Sequence, residues 1–112
     1  MNFIKGTLTQ HGFRTPDNLL IPVANKDLPS KDTPASYGIR PEHLILSENG
    51  ISAKVLVVEP TGSETQVVVK VGDQQLIGAF RQRLTVNYED TLRIMPDLEK
   101  VHLFDLDGRR LN

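Results

Sequence analysis

The sequence predicts an all-β protein. Short runs rich in β-branched residues alternate with clusters of Gly, Pro, Asn and Asp, which is the pattern of a β-sandwich or a small β-barrel. No segment of about ten or more residues shows the apolar periodicity of a helix. The chain has 112 residues, about the size of one domain. We therefore expect residues 1–112 to form a single domain of about eight short strands.

The N-terminal region, residues 1–23, reads as two strands that form a β-hairpin. Alternation predicts one strand over Phe3–Thr9 and a second over Leu19–Val23. Pro22 interrupts the second strand and favours an edge position, because proline cannot donate to a sheet. The polar segment 11–18 between the strands is expected to be a turn or short loop.

Residues 24–36 form a polar segment that we interpret as a mobile connector. The main barrel motifs then occupy residues 37–112. Pro41 disfavours a helical conformation at Arg40 and suits the first position of a helical turn. We expect a short strand that ends at Arg40, followed by one tight turn through Leu44.

Five further strands are expected in the rest of the chain. They are Ile51–Glu59, Thr65–Val71, Gln75–Phe80, Thr91–Met95 and Val101–Phe104. In the first of these, alternation places Ala53, Val55 and Val57 on one face. The segments 60–63 and 72–73 have turn composition, and Asp107-Gly108 indicates a last turn near the C-terminus.

Composition excludes several classes of function. The net charge is -1, so bulk charge does not indicate a partner such as nucleic acid or an anionic membrane. The absence of cysteine excludes disulfides, thiolate metal sites and cysteine nucleophiles. No apolar run approaches the ~18 to 20 residues that span a bilayer.

Known catalytic and nucleotide-binding motifs are also absent from the sequence. There is no G-x-x-x-x-G-K-[ST] phosphate loop, no G-x-G-x-x-G, no H-E-x-x-H and no G-x-S-x-G. The three histidines lack the close spacing of a metal site. We therefore expect no catalytic residue, no metal and no cofactor in this chain. Asp105-Leu106-Asp107-Gly108 lacks the remaining ligands of a calcium loop and is expected to be a plain turn.

Each histidine has an ordinary structural interpretation. His11 lies in a polar turn and is expected at the surface. His43 follows the Arg-Pro-Glu turn and is expected to make a local hydrogen bond to backbone or carboxylate. His102 alternates with buried neighbours and is expected to be half-buried.

A basic face is the basis of an oligonucleotide-binding alternative. Such a face would be made of the arginines at five positions: Arg81, Arg83, Arg93, Arg109 and Arg110. Binding of single strands pairs such charges with stacking aromatics, and most aromatics here lie within apolar strand patterns. We therefore expect no nucleic-acid partner.

Three spaced motifs resemble a known family. They are Gly38-Ile39-Arg40-Pro41-Glu42-His43, then Val58-Glu59-Pro60-Thr61-Gly62-Ser63-Glu64-Thr65, then His102-Leu103-Phe104-Asp105. Together they closely resemble TOBE (transport-associated OB), the C-terminal regulatory domain of sugar-importer ABC ATPases of the maltose and glycerol-3-phosphate types. The opening Met1-Asn2-Phe3-Ile4 looks like the segment that follows the nucleotide-binding domain in these proteins. One departure is Asn87-Tyr88-Glu89-Asp90, where relatives tend to have a glycine-containing acidic turn.

The resemblance implies an OB-like (MOP-like) small barrel that is part of a longer protein. ATP and Mg would bind an N-terminal domain outside this chain, and Met1 would be an internal methionine. The implied partners are that ATP-binding domain, a second copy in a homodimer, a regulatory protein and, indirectly, the membrane permease subunits. The implied location is the cytoplasmic side, peripheral to the inner face of the cell membrane.

The candidate site consists of the motif residues Arg40, Glu42, His43, Glu59, Gly62 and Glu64. We expect Arg40 to hold a carboxylate of Glu42 or Glu64, with Glu59 as the alternative partner. This polar cluster is either purely structural or a set of interface and effector contacts. The chief rival function is binding of a small ligand, an oxyanion or a sugar, for which the Gly62-Ser63 turn could offer a backbone N–H nest.

Overall fold

The computed structural model describes residues 1–82 and 84–112, and the regular structure in these residues is β-strand with three short 3₁₀ turns. The all-β prediction is therefore confirmed. The strands are β1 (Asn2–Thr9), β2 (Gly12–Arg14), β3 (Leu20–Ile21), β4 (Thr33–Ile39), β5 (Leu44–Thr61), β6 (Glu64–Val71), β7 (Gln74–Phe80), β8 (Thr91–Pro96) and β9 (His102–Phe104). The 3₁₀ turns are Asn25–Asp27, Pro41–His43 and Leu98–Lys100. No helix in these residues is long and apolar enough to cross a membrane.

The described chain divides into two compact units. The first unit comprises Met1–Ile39 and Leu98–Asn112, and the second comprises Arg40–Asp97. The first contains an antiparallel five-stranded sheet of order β3-β2-β1-β4-β9. The second contains an antiparallel four-stranded sheet of order β7-β6-β5-β8.

The first unit buries one aromatic pair within an aliphatic core. The rings of Phe13 and Tyr37 lie 5.2 Å apart and are tilted, an arrangement that aromatic pairs prefer. Ile4, Leu8 and Leu103 are buried in the same unit. The Tyr37 hydroxyl donates to the carbonyl oxygen of Pro22 at 3.0 Å, and burial raises the pKa of Tyr37.

An N-terminal hairpin is present, but its second strand is β2, and the predicted strand Leu19–Val23 contains β3 instead. β1 pairs with β2, which lies in the segment expected to be a loop, and β2 pairs with β3. The chain reverses direction in a tight turn directly after β1. This turn is stabilised by the Thr9 hydroxyl, which donates to the Gly12 carbonyl oxygen and accepts from the His11 N–H. β3 does lie at an edge of the sheet, as Pro22 predicted.

The predicted connector 24–36 is shorter than expected. It contains a 3₁₀ turn at Asn25–Asp27, and β4 begins at Thr33. Pro34 is compatible with β4, since this part of the strand pairs only with β1 at Thr7. The strand through Ile39 and the tight turn after it are confirmed.

The long strand β5 deviates from regular pairing at two places. The first lies between Leu46 and Ile51, which both pair with Ile94, so residues 47–50 are extra. Gly50 is required there, because an added Cβ would lie 2.7 Å from the backbone nitrogen of Ile94.

The second deviation in β5 is a register shift between Val55 and Val57. Val55 is fully buried, whereas Val57 is 46% exposed. The prediction that these two side chains share a face was therefore wrong, because the extra residue Leu56 reverses the alternation.

Candidate functional site

Two of the predicted motif loops meet along one groove in the second unit. The groove has a volume of about 760 Å³ and is bordered by the 3₁₀ turn Pro41–His43, the start of β6 and the end of β7. Its lining residues are Pro41, Glu42, His43, Leu44, Ile45, Leu46, Glu64, Gln66, Ala79, Phe80, Arg81 and Gln82. We call it the motif groove.

The 3₁₀ turn at the motif groove follows directly from the sequence. Arg40 has an extended backbone (φ -74, ψ 148), as expected of a residue before proline. The His43 N–H donates to the Arg40 carbonyl oxygen at 3.0 Å, which closes the turn. The Asp97 N–H donates to the His43 carbonyl oxygen at 2.9 Å. The turn is thereby fixed to the chain after β8.

A second, adjacent groove has a volume of about 520 Å³ and includes the Gly62 turn. Gly62 has φ +64, a conformation that favours glycine, although an added Cβ would meet open space. The buried Thr65 hydroxyl donates to the Gln82 carbonyl oxygen at 3.3 Å, which joins the start of β6 to the segment after β7. Glu64, Arg81 and Gln82 line both grooves.

Two family models together match residues 1–104 of the chain. A family model described as the TOBE domain matches residues 37–104, which is more than half of the chain. The chain belongs to the TOBE domain family. A second model, described as the MalK OB fold domain, matches residues 1–44. The OB-like fold and the resemblance to importer ATPases are thereby confirmed.

Relatives of this TOBE domain include ATP-binding proteins of transporters. An uncharacterized ABC transporter ATP-binding protein, y4oS of Sinorhizobium fredii, is 39% identical over 94% of this chain and 29% of its own length. The maltose/maltodextrin import ATP-binding protein MalK of Vibrio cholerae is 43% identical over 66% of this chain and 21% of its own. The sulfoquinovosyl glycerol transport ATP-binding protein SmoE of Agrobacterium fabrum is 34% identical over 98% of this chain and 33% of its own. The chain thus spans about a third or less of the length of these relatives.

The motif groove of the TOBE domain brings together three of the six candidate residues. Glu42, His43 and Glu64 line it, and Gly62 lines the adjacent groove. Arg40 and Glu59 line neither groove.

The predicted Arg40–carboxylate pair was wrong. Arg40 is exposed, and no ion pair within the described residues joins it to Glu42, Glu59 or Glu64. An exposed arginine and an exposed carboxylate gain little by pairing, because water solvates both. The interface and effector contacts expected of these residues stay a prediction.

His43 does not make the local hydrogen bond expected of its ring. Its Nδ1 atom is buried and has no hydrogen-bond partner among the described residues. An unsatisfied buried polar atom costs about 1–3 kcal/mol of stability, so most proteins avoid it. The other two histidines are as expected: His11 is exposed, and His102 is half-buried.

Sequence reasoning did not assign Arg81 to the site. The register of the β6–β7 hairpin pairs Thr65 with Phe80, so the next residues outward, Glu64 and Arg81, are neighbours at its open end. Both line the motif groove. The register, counted from the predicted turn at Gly72-Asp73, was the signal that could have identified Arg81.

The predicted basic face is divided between the units. Arg81 and Arg93 belong to the second unit, and Arg109 and Arg110 to the first, while Arg83 lies outside the described residues. The Arg93 guanidinium donates to the Gly50 carbonyl oxygen at 3.3 Å.

The first unit carries one aromatic surface next to an arginine. Phe3 is 61% exposed, its ring lies 6.1 Å from that of Phe104, and the Arg110 guanidinium lies 5.7 Å from the Phe104 ring centroid. The oligonucleotide-binding alternative stays a prediction.

The Asp105–Gly108 segment is a plain turn, as predicted. The Asp105 carboxylate accepts from the backbone N–H groups of Asp107 and Arg109, both at 2.9 Å. No group of three or more metal-ligating side chains occurs within the residues that the structure describes.

Proposed function

We propose that this TOBE domain is the accessory, regulatory part of an ATP-binding subunit of a sugar-type ABC importer. It supplies contacts between two copies of the subunit and with regulatory proteins, while ATP and Mg are bound by another part of the protein. Three relatives are ATP-binding proteins of an ABC transporter, of maltose/maltodextrin import and of sulfoquinovosyl glycerol transport, and the chain covers 21–33% of their lengths. The sequence has no phosphate loop of its own.

The observation that carries this proposal is the convergence of separate motif loops on one surface. Glu42 comes from the turn after β4, Glu64 from the start of β6 and Arg81 from the end of β7, and all three line the motif groove. No ion pair within the described residues involves any of the three. Charged side chains without partners around a groove suit the polar rim of a protein interface.

His43 also borders this surface, because its side chain lines the motif groove beside Glu42. A partner that bound this surface in only one state of the ATPase dimer would shift the dimer toward that state.

The proposed location is the cytoplasmic side of the cell membrane. There the ATP-binding part would contact the permease subunits, and this domain would reach them only through it. Hydrolysis of ATP would belong to the ATP-binding part.

The test uses charge reversal in an ATP-binding protein whose C-terminal part is this chain. Glu42→Arg and Glu64→Arg are compared with Glu48→Arg, an exposed residue that lines neither groove. We expect the two groove variants to change permease-coupled ATP hydrolysis and subunit association. Nucleotide affinity should stay within about twofold of the parent, because the proposal places nucleotide binding in another part of the protein. Groove variants that behave as the control does, or that lose nucleotide affinity, would contradict the proposal.

Sugar binding in the motif groove is a second candidate. Carboxylate, amide and guanidinium groups line the groove, and its volume lies in the range of ligand sites. Two carboxylates against one guanidinium disfavour an oxyanion. Calorimetric titration with maltose, sulfate and molybdate separates these cases. Heat with maltose alone would support sugar binding, and heat with none would leave the interface role.

A further inference from the structure

One asparagine of the chain lies directly before a glycine. Asn49 precedes Gly50, whereas the asparagines at positions 2, 18, 25 and 87 precede larger residues and position 112 is the last of the sequence. Asparagine is chemically labile, because the backbone nitrogen of the next residue can attack its side-chain amide. A glycine at that next position leaves the nitrogen accessible, since glycine has no Cβ and its backbone rotates freely.

The Asn49-Gly50 pair lies in the extra segment of β5. Leu46 and Ile51 both pair with Ile94 of β8, so β8 places no residue opposite 47–50. β6 pairs with β5 only from Lys54 onward and leaves the same residues without a partner. In the part of the chain that the structure describes, no strand pairing therefore holds this segment in one conformation.

The Asn49 side chain can approach the Gly50 nitrogen without loss of a contact. Asn49 is exposed, and its side chain makes no hydrogen bond within residues 1–82 and 84–112. Its backbone N–H donates to the Ser47 hydroxyl at 3.4 Å. The local structure thus permits the reaction that the sequence favours.

We propose that Asn49 is a site of spontaneous deamidation through a cyclic imide with Gly50. The Gly50 backbone nitrogen forms a bond to Asn49 Cγ, the Cγ–Nδ2 bond breaks, and the displaced amide leaves as ammonia with the proton of the Gly50 nitrogen. Water then opens the imide at either carbonyl carbon. Opening at Cγ gives aspartate, and opening at the backbone carbonyl carbon gives isoaspartate. No oxidant or reductant takes part.

The isoaspartyl product does not fit the observed backbone. It routes the chain through the former side chain, which adds one carbon to the backbone between Asn49 and Gly50. Gly50 has no room for an added atom, since a Cβ there would lie 2.5 Å from the carbonyl oxygen of Ile94. Its own carbonyl oxygen accepts from the Arg93 guanidinium at 3.3 Å. The longer backbone therefore displaces Gly50 from β8 and weakens the β5–β8 pairing.

The start of β5 connects this site to the motif groove. Leu44, Ile45 and Leu46 line the groove and pair with β8 immediately before the extra segment. Displacement of Gly50 thus alters a wall of the groove, and both products add a negative charge next to Glu48. The effect on the groove's contacts rests on the proposed function, whereas the deamidation does not.

The first test is peptide mapping of the folded 112-residue chain after incubation at physiological temperature and pH. Trypsin cleaves after Lys31 and Lys54 but not before Pro41, so the peptide 32–54 contains Asn49 and no other asparagine. Deamidation raises the mass of this peptide, and isoaspartyl methyltransferase detects the isoaspartate. The reference is the peptide 15–26 of the same sample, which contains the exposed Asn18 and Asn25.

We expect the peptide 32–54 to convert at least roughly tenfold faster than the reference peptide, which corresponds to a barrier lower by about 1.4 kcal/mol. Asn49→Gln is the matched variant, because its longer side chain closes the imide ring far more slowly. It should abolish the conversion in 32–54 and leave the reference peptide unchanged. Conversion of 32–54 no faster than that of 15–26 would overturn the proposal.

The second test measures the effect of the modification on the fold. The incubated parent chain should melt at a lower temperature than the fresh chain, while Asn49→Gln should melt at the same temperature before and after incubation. Asn49→Asp carries the new charge without the longer backbone and should melt as the fresh parent does. Unchanged melting of a parent in which Asn49 has become isoaspartate would overturn the proposed displacement of Gly50. These measurements use the isolated chain, so they are decided separately from the charge-reversal variants of the motif groove.

Discussion

Val57 lies directly opposite Val68 across the β5–β6 pair, and both face solvent, while the neighbouring pair Val55 and Val69 is buried. A single extra residue, Leu56, separates the two pairs on β5. Val55 and Val57 of β5 therefore differ in their contribution to stability, because only Val55 is buried.

The valines of β5 provide the first prediction. Val55→Ala should lower the free energy of unfolding by about 2 kcal/mol, because it leaves a cavity in the core. Val57→Ala should change it by less than about 0.5 kcal/mol, because the side chain is largely exposed. Urea denaturation of the two variants checks the difference. Equal losses would show that the register shift is absent.

His43 provides the second prediction. His43→Phe keeps an aromatic ring and removes the unsatisfied Nδ1 atom, so we expect the free energy of unfolding to stay the same or to rise by up to about 1 kcal/mol. His11→Phe, at an exposed position, is the control and should have almost no effect. A loss of stability specific to His43→Phe would mean that its ring nitrogens are satisfied in solution.

Arg40 provides the third prediction. The guanidinium is exposed and makes no ion pair within the described residues, so Arg40→Ala should change the free energy of unfolding by less than about 0.5 kcal/mol. Thermal melts at low and high salt check this expectation. A large loss that salt diminishes would restore the ion-pair hypothesis.

The turn before β8 provides the fourth prediction. Glu89 has φ +72, a left-handed conformation that costs a non-glycine residue about 1–2 kcal/mol. Glu89→Gly should therefore stabilise the chain, by about 0.5–1 kcal/mol after the greater flexibility of unfolded glycine is subtracted. Lys54→Ala is the control, since both changes remove the exposed Lys54–Glu89 pair. Destabilisation by Glu89→Gly beyond that of the control would contradict this interpretation.

The strands that the sequence predicts well are those set by local signals. β6 and β7 have clear alternation and a Gly72-Asp73 turn between them, and their bounds differ from the prediction by about one residue. β2 escaped prediction because three residues carry too little pattern, and its place depends on pairing with β1. The register shift at Leu56 escaped it because Val55 to Val58 are all apolar, so alternation cannot show which side chains are buried.

The sequence predicted which residues belong to the candidate site better than it predicted which of them contact each other. The motifs identified Glu42, His43 and Glu64, which do lie together. The wrong pairing of Arg40 arose from charge complementarity alone, which says nothing about distance or exposure. Arg81 required the hairpin register, a relationship between strands rather than a local motif.

The most direct test of the account is removal of this region from an ATP-binding protein that contains it. Nucleotide affinity and subunit association are measured on the same samples, with and without the 112 residues. We predict nucleotide affinity within about twofold of the intact protein and weaker association of the subunits. A loss of nucleotide affinity of about tenfold or more, with association unchanged, would contradict the account.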